Sequence, residues 1–328
     1  MNRLTFILLL SVGLIIMVAL AILLGETPLS IAQYAEAFAR PGSSVGEVIW
    51  SIRAPRAITA AVVGGALGLA GAAMQGLLRN PLAEPGVLGV SSFSGFGAAL
   101  ALSFGLAATP GVVEGAALIG ALVAGALLVG LAARFREPET LILFGVSLSA
   151  LGGALTALAF NLSPSPITTA EMLSWLQGSV ANRDWSDIWR AAIPMVVGAG
   201  LCLYSGRGLT MLTLGDETAA MSGLPMARLR AAAVGGAALL AGAAVAAAGV
   251  IGFVGLAAPH LVRAAVRNDP GKTLMPSALA GAVLLTAADL AARMLPTEQE
   301  LRLGVVTALF GAPLFGLVAW RAARSWRS

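Results

Sequence analysis

Asp289 and Arg293 stand four residues apart in an apolar run near the end of the chain. At that spacing a carboxylate and a guanidinium share one helix face and pair. Few other residues are placed for chemistry. His260 is the only histidine and Cys202 the only cysteine. One cysteine cannot close a disulfide within the chain, and neither residue has a neighbour with which to hold a metal. No serine–histidine pairing exists apart from the lone His260, so no nucleophile has a base. The "GKT" at Gly271–Thr273 looks like the end of a phosphate-binding loop. Such a loop needs a glycine five residues before its second glycine, and that position is Val266. No catalytic residue and no metal ligand is assigned, and the chain reads as a non-enzyme.

A second polar group lies in "LTLGDETAAMSGLPMARLR", Leu212–Arg230. Asp216 and Glu217 open it, where the start of a helix favours acids. Gly223 and Pro225 punctuate it, and Arg228 and Arg230 close it. The pattern suits two short helices split by a turn.

The elements that must position these residues are greasy. Of 328 residues, 58% are hydrophobic and only 11% charged, against about a quarter charged in soluble domains. The apolar residues fall in roughly ten runs of bilayer-spanning length. The runs are too long and unbroken for the alternating strands of a membrane barrel. The expectation is an all-α integral membrane protein of about ten transmembrane helices, a single domain over 1–328. The spans are placed at Leu4–Leu24, Arg56–Leu78, Val87–Ala108, Val113–Ala133, Leu141–Leu162, Ile188–Ser205, Leu229–Ala248, Gly252–Val266, Thr273–Leu295 and Leu303–Ala323. Leu4–Leu24 lacks a clear small-x-small cleavage site and is read as a retained first span, not a signal peptide. Forty glycines, with "GGALG" at Gly64–Gly68 among them, suit close helix packing.

Basic residues set the expected orientation. With a cytoplasmic N-terminus, the inner segments hold Arg3, Arg79, Arg134, Arg136, Arg207, Arg228, Arg230, Arg263, Arg267, Lys272, Arg321, Arg324 and Arg327. The outer segments hold only Arg40, Arg53, Arg56, Arg183, Arg190, Arg293 and Arg302. Both termini are therefore expected in the cytoplasm. The net charge of +4 reflects this topology, not nucleic-acid binding. Gly25–Arg53 and Ser163–Asp187 become outer segments, the first with an amphipathic piece and the second with a short surface helix in "EMLSWLQGSV". The spans hold almost no acid or lysine at mid-membrane, where ion-coupled carriers place them. The chain is not expected to power transport alone.

"RAPRAITAAVVGGALGLAGAAMQGLLRNPLAEPGVLGVSS" at Arg53–Ser92 resembles the FecCD-type permease subunits of type II ABC importers. "GVIGFVGLAAPHLVR" at Gly249–Arg263 and "LRLGVVTALFGAP" at Leu301–Pro313 resemble two further signatures of that family. "LGDETAAMSGLP" is similar to its cytoplasmic coupling segment. The resemblance covers essentially the whole chain and implies the type II permease fold in a bacterial inner membrane. It implies a channel formed with a second copy or close paralogue, two ATPase subunits that carry ATP and Mg, and a periplasmic substrate-binding protein. No cofactor is expected on this chain. The implied cargo is an iron chelate, siderophore or haem, with cobalamin as the alternative; an ion-coupled secondary carrier is the reading from a different class. Gly215, Asp216, Glu217, Ala219, Ala220, Gly223, Leu224 and Pro225 match the coupling segment, about 212–230. Arg53, Arg56 and Arg293 match arginines that meet the binding protein. Asn80 and Leu82 match an inner gate; read without the family, Asn80 and Pro81 end a helix. Two departures stand out. Arg302 replaces the usual proline and is expected at the outer surface or path mouth, and "REPETL" at Arg136–Leu141 matches poorly.

Overall fold

A computed structural model describes residues 2–135, 137–295 and 300–325. Arg136 and Arg327, both counted in the charge asymmetry, lie outside the described residues. Among the described residues every regular element is helical. In chain order the helices are α1 (Arg3–Leu23), α2 (Ile31–Ala39), α3 (Ser44–Glu47), α4 (Ala54–Leu78), α5 (Val90–Ser103), α6 (Val112–Arg134) and α7 (Pro138–Asn161). There follow α8 (Pro166–Leu176), α9 (Trp185–Met211), α10 (Asp216–Met221), α11 (Met226–Ala248), α12 (Val254–Arg263), α13 (Pro270–Met294) and α14 (Leu303–Ser325).

The ten apolar runs correspond one to one to α1, α4, α5, α6, α7, α9, α11, α12, α13 and α14. Among the described residues, seven of these are long and apolar enough to cross a bilayer on their own. α5 has 14 residues and α12 has 10, both short of the roughly 20 needed. The expected Val87–Ala108 span shortens because Gly89 and Gly105, both at positive φ, end the helical geometry. Non-helical backbone is tolerated at membrane depth where protein covers it. The second span differs most. It begins at Ser44, not Arg56, and runs 35 residues through a π-helical stretch at Val48–Arg53. Arg53 and Arg56 therefore sit within a continuous helix instead of at its mouth.

α4 and α11 form the centre, each largely buried. α4 packs most extensively on α13. A Cβ on Gly64 would sit 2.3 Å from the Gly281 carbonyl oxygen, so the "GGALG" glycines do bring two backbones together. α1 lies at the periphery, with most of its side chains at least partly exposed.

Contacts define two ends of the bundle. At one end the Ala248 carbonyl accepts from the Ser179 amide, Leu303 donates to the Gly178 carbonyl, and Trp185 donates to Trp50. The starts of α4, α9 and α14 and the end of α11 meet there. At the other end Thr210 of α9 donates to Asp269, which caps α13. α2 lies at the first end and carries a complete capping box from Ser30 and Gln33. α8 lies there too and starts at Pro166, earlier than "EMLSWLQGSV" alone implied.

Candidate functional site

α4 ends at Leu78 because Arg79 turns left-handed, φ +48°. The next residues run as a turn-rich loop to Gly89. Asn80 Oδ1 accepts from the Leu82 amide at 2.9 Å, and the Asn80 carbonyl accepts from Ala83. Asn80 thus ends the helix and shapes the loop, which serves both readings of it. Leu82 is partly exposed and lines a cavity of about 860 Å³. α5, α7, α8, the start of α12 and Ala312 of α14 supply the other walls, mostly apolar. Ser149 of α7 ties the loop from one side, donating to the Val87 carbonyl at 2.7 Å.

Among the described residues Glu84 is the one ionisable side chain lining this cavity. It is 8% exposed. Burial pushes its carboxyl up to about 7, against the pull of the Phe253 and Gly255 amides, which bond the charged form. Sequence reading did not single it out. The available signal was an acid inside "NPLAEPG", where prolines and glycine enforce a loop that reaches back to another helix.

The segment Leu212–Arg230 sits at the end opposite α8. It contains a 3-10 turn at Leu212–Leu214 and one short α-helix, α10, followed by a turn; beyond Gly223 and Pro225, where the sequence pattern suits a second short helix, the chain enters the first turn of α11. Gly215 (φ +96°) and Gly223 (φ +83°) bracket α10, a geometry a side chain would strain. Asp216 pairs with Arg79 at the end of α4 and with Arg230 of α11 at 3.1 Å. Arg230 also donates to the Phe135 carbonyl beyond α6. One carboxylate thus ties α10 to three spanning elements. Glu217, Thr218, Ala220 and Met221 are exposed, as is Leu214 just before α10. Pro225 and Gly223 are exposed and Leu224 is half-buried. Ala219 is fully buried against the chain itself, so it faces the fold and not a partner groove.

The three arginines expected at a docking surface point inward. Arg53 is 5% exposed and donates to the Leu23 and Thr27 carbonyls at 2.8 and 2.6 Å. Arg56 binds Asp289 through Nε and Nη2, at 3.0 and 2.8 Å, and also pairs with Glu300. Arg293 lies 3.3 Å from Asp289 and donates to the Ala21 carbonyl. The i,i+4 pair is therefore real, and it is one edge of a larger cluster joining α1, α4, α13 and the approach to α14. Reversing charge here would disturb the fold itself: a glutamate at 56 would face Asp289 and Glu300. Arg302, at the same end, donates to Ser174 Oγ and borders a small pocket with Glu171 and Arg183. The "GKT" forms the first turn of α13, where Lys272 pairs with Asp269 at 2.7 Å.

Comparison with known proteins places this architecture. Vitamin B12 import system permease proteins BtuC from Salmonella schwarzengrund, Salmonella typhi and Salmonella typhimurium are each 39% identical over 286 residues, 86% of either chain. A solved structure, an inward-facing conformation of a transporter assigned to the metal-chelate ABC type, aligns with a TM-score of 0.85 and 30% identity. That alignment covers 97% of this chain and 99% of the other. Residues 13–321 match the FecCD transport family. Loop, cavity, α10 and multi-pass bundle thus sit in a chain that belongs to the FecCD transport family, a membrane permease of an ABC importer.

Proposed function

We propose that two copies of this chain, or this chain and a close paralogue, enclose a path for a metal-bearing chelate entering the cytoplasm. Vitamin B12 is the first reading, because the curated relatives named above import it. A ferric chelate or haem is the second, favoured by the metal-chelate type structural relative. The observation that carries the proposal is the cavity of about 860 Å³, walled by apolar side chains and closed off by the Asn80–Gly89 loop. Its size suits a bulky ligand, and its mostly apolar walls leave cargo choice largely to a partner.

ATP is bound and hydrolysed on two separate subunits. The exposed tip of α10, with Leu214, Glu217, Ala220 and Met221, docks on them, and Asp216 passes the motion to α4 and α11. Asn80 and Leu82 form the gate on that same, cytoplasmic side, and the binding protein sits at the other end. Arg53, Arg56 and Arg293 then shape that outer end from within.

Reconstitution in vesicles tests this. Uptake of labelled cobalamin or of a ferric chelate should require the permease, its ATPase, ATP and the binding protein together. Uptake driven by a proton or sodium gradient without ATP would establish an ion-coupled carrier instead.

A further inference from the structure

We propose that Glu84 is a positioning residue for transport: its carboxylate joins the Asn80–Gly89 loop to the first turn of α12, so loop and helix shift as one body. The inference rests on the reading of Asn80 and Leu82 as the gate.

The first turn of any helix presents amides that its own backbone cannot satisfy. α12 has no side-chain cap of its own. Its N-cap residue is Phe253, held left-handed at φ +67°, a conformation uncommon for a bulky residue. Glu84 fills the gap from a distant part of the chain: its side chain lies against Gly255, which puts the Phe253 and Gly255 amides within reach of its carboxylate. Gly255 leaves room for it: a Cβ there would stand 3.1 Å from Glu84 Oε1.

The connection extends on both sides. The Gly255 carbonyl accepts from Gln75 of α4, and Gln75 Oε1 accepts from Arg263 near the end of α12. On the other side Ser149 of α7 holds Val87. The gate loop is therefore a strap across the cavity, anchored to α7 at one edge and to α12 through Glu84 at the other. Leu82 lies between these anchors and the helix end at Arg79, so its position follows theirs.

Two substitutions separate this role from mere space-filling. Glu84→Gln keeps an acceptor oxygen; Glu84→Leu keeps bulk but accepts nothing. In vesicles holding the full importer, Glu84→Leu should cut transport about tenfold or more, and Glu84→Gln should stay within about threefold of the parent. Spin labels at Val87→Cys and Leu261→Cys, both exposed sites, report the loop–α12 distance; Cys202 is buried and stays unlabelled. The distribution should be narrow in the parent and Gln forms and broad in the Leu form. Equal behaviour of Leu and Gln in the distance measurement overturns the proposal, as does a narrow distribution in an inactive Leu variant. A broad distribution with undiminished transport would keep the connection and remove Asn80 and Leu82 as a gate.

Discussion

At one end of the bundle Arg53 and Arg293 are buried, Arg56 is partly so, and all three are engaged with carbonyls and carboxylates of the same chain. At the other end α10 gives up one acid, Asp216, to internal pairs and leaves Glu217, Thr218, Ala220 and Met221 exposed. Both ends are polar in sequence, yet these three arginines fold onto their own chain while α10 offers side chains outward. The difference teaches that charge at the edge of an apolar run does not announce a contact surface. A guanidinium near lipid is as well served by folding inward onto carbonyls as by reaching toward water, because either satisfies its donors.

The largest effect expected from this comparison is at Arg56. Arg56→Glu sets three carboxylates together and takes from Asp289 and Glu300 the arginine they share, a loss on the order of 3–5 kcal/mol. Little monodisperse protein should be recovered from membranes, and Arg56→Lys, which keeps charge but not the fork, should fall between. Normal yield with only slower association of the binding protein would restore this end as a docking surface.

Next are the two faces of α10. Ala220→Trp, on the exposed face, should insert and fold while transport in vesicles drops about tenfold, since it blocks the partner and not the fold. Ala219→Trp, on the buried face, should cost about 1–3 kcal/mol of stability in a thermal melt. If the two variants were indistinguishable, α10 would have no partner-facing side.

A smaller effect belongs to Glu84. Its folded-state carboxyl titrates near 7, above its ordinary value of 4.5. The stabilising contribution of the protonated form is therefore full below the ordinary range and lost as pH rises through about 7. The melting temperature should fall on the order of 5 °C between pH 5 and pH 8. The charged groups of the neighbouring helices, Arg56 and Arg79 at either end of α4 and Arg263 of α12 among them, are unchanged in Glu84→Gln, so that variant isolates the contribution of Glu84. An unchanged slope in Glu84→Gln would show that the dependence arises elsewhere in the chain.

The smallest effect is expected at Lys272, whose exposed pair with Asp269 is worth no more than about 0.5 kcal/mol. Lys272→Ala should leave stability and ATP-driven uptake unchanged, and loss of nucleotide binding by the permease would revive the phosphate-loop reading of "GKT".

Much of this was legible along the chain. The ten apolar runs became ten helices because hydropathy is local, and backbone in lipid has few ways to satisfy itself other than a helix. Four motifs in order carried the family, and Gly215, Asp216 and Gly223 marked α10. The spacing of Asp289 and Arg293 announced their pair. The start of the second span was misplaced because Arg53 and Arg56 look like a boundary. Inside the fold they are covered by residues far away in sequence, Leu23, Asp289 and Glu300, and the helix runs past them.

By itself, then, the sequence determined the material of this protein: an all-helical membrane bundle, its helix order, the glycines that let α4 and α13 touch, and the family. These follow from residue type and short spacing, which act within a turn or two. The tertiary structure alone decided direction: that three arginines look in, that Ala219 looks in while Ala220 looks out, and that Glu84 reaches α12. Each is a relation between residues far apart in the chain, and close packing, which no local pattern encodes, selects one partner for each buried charge.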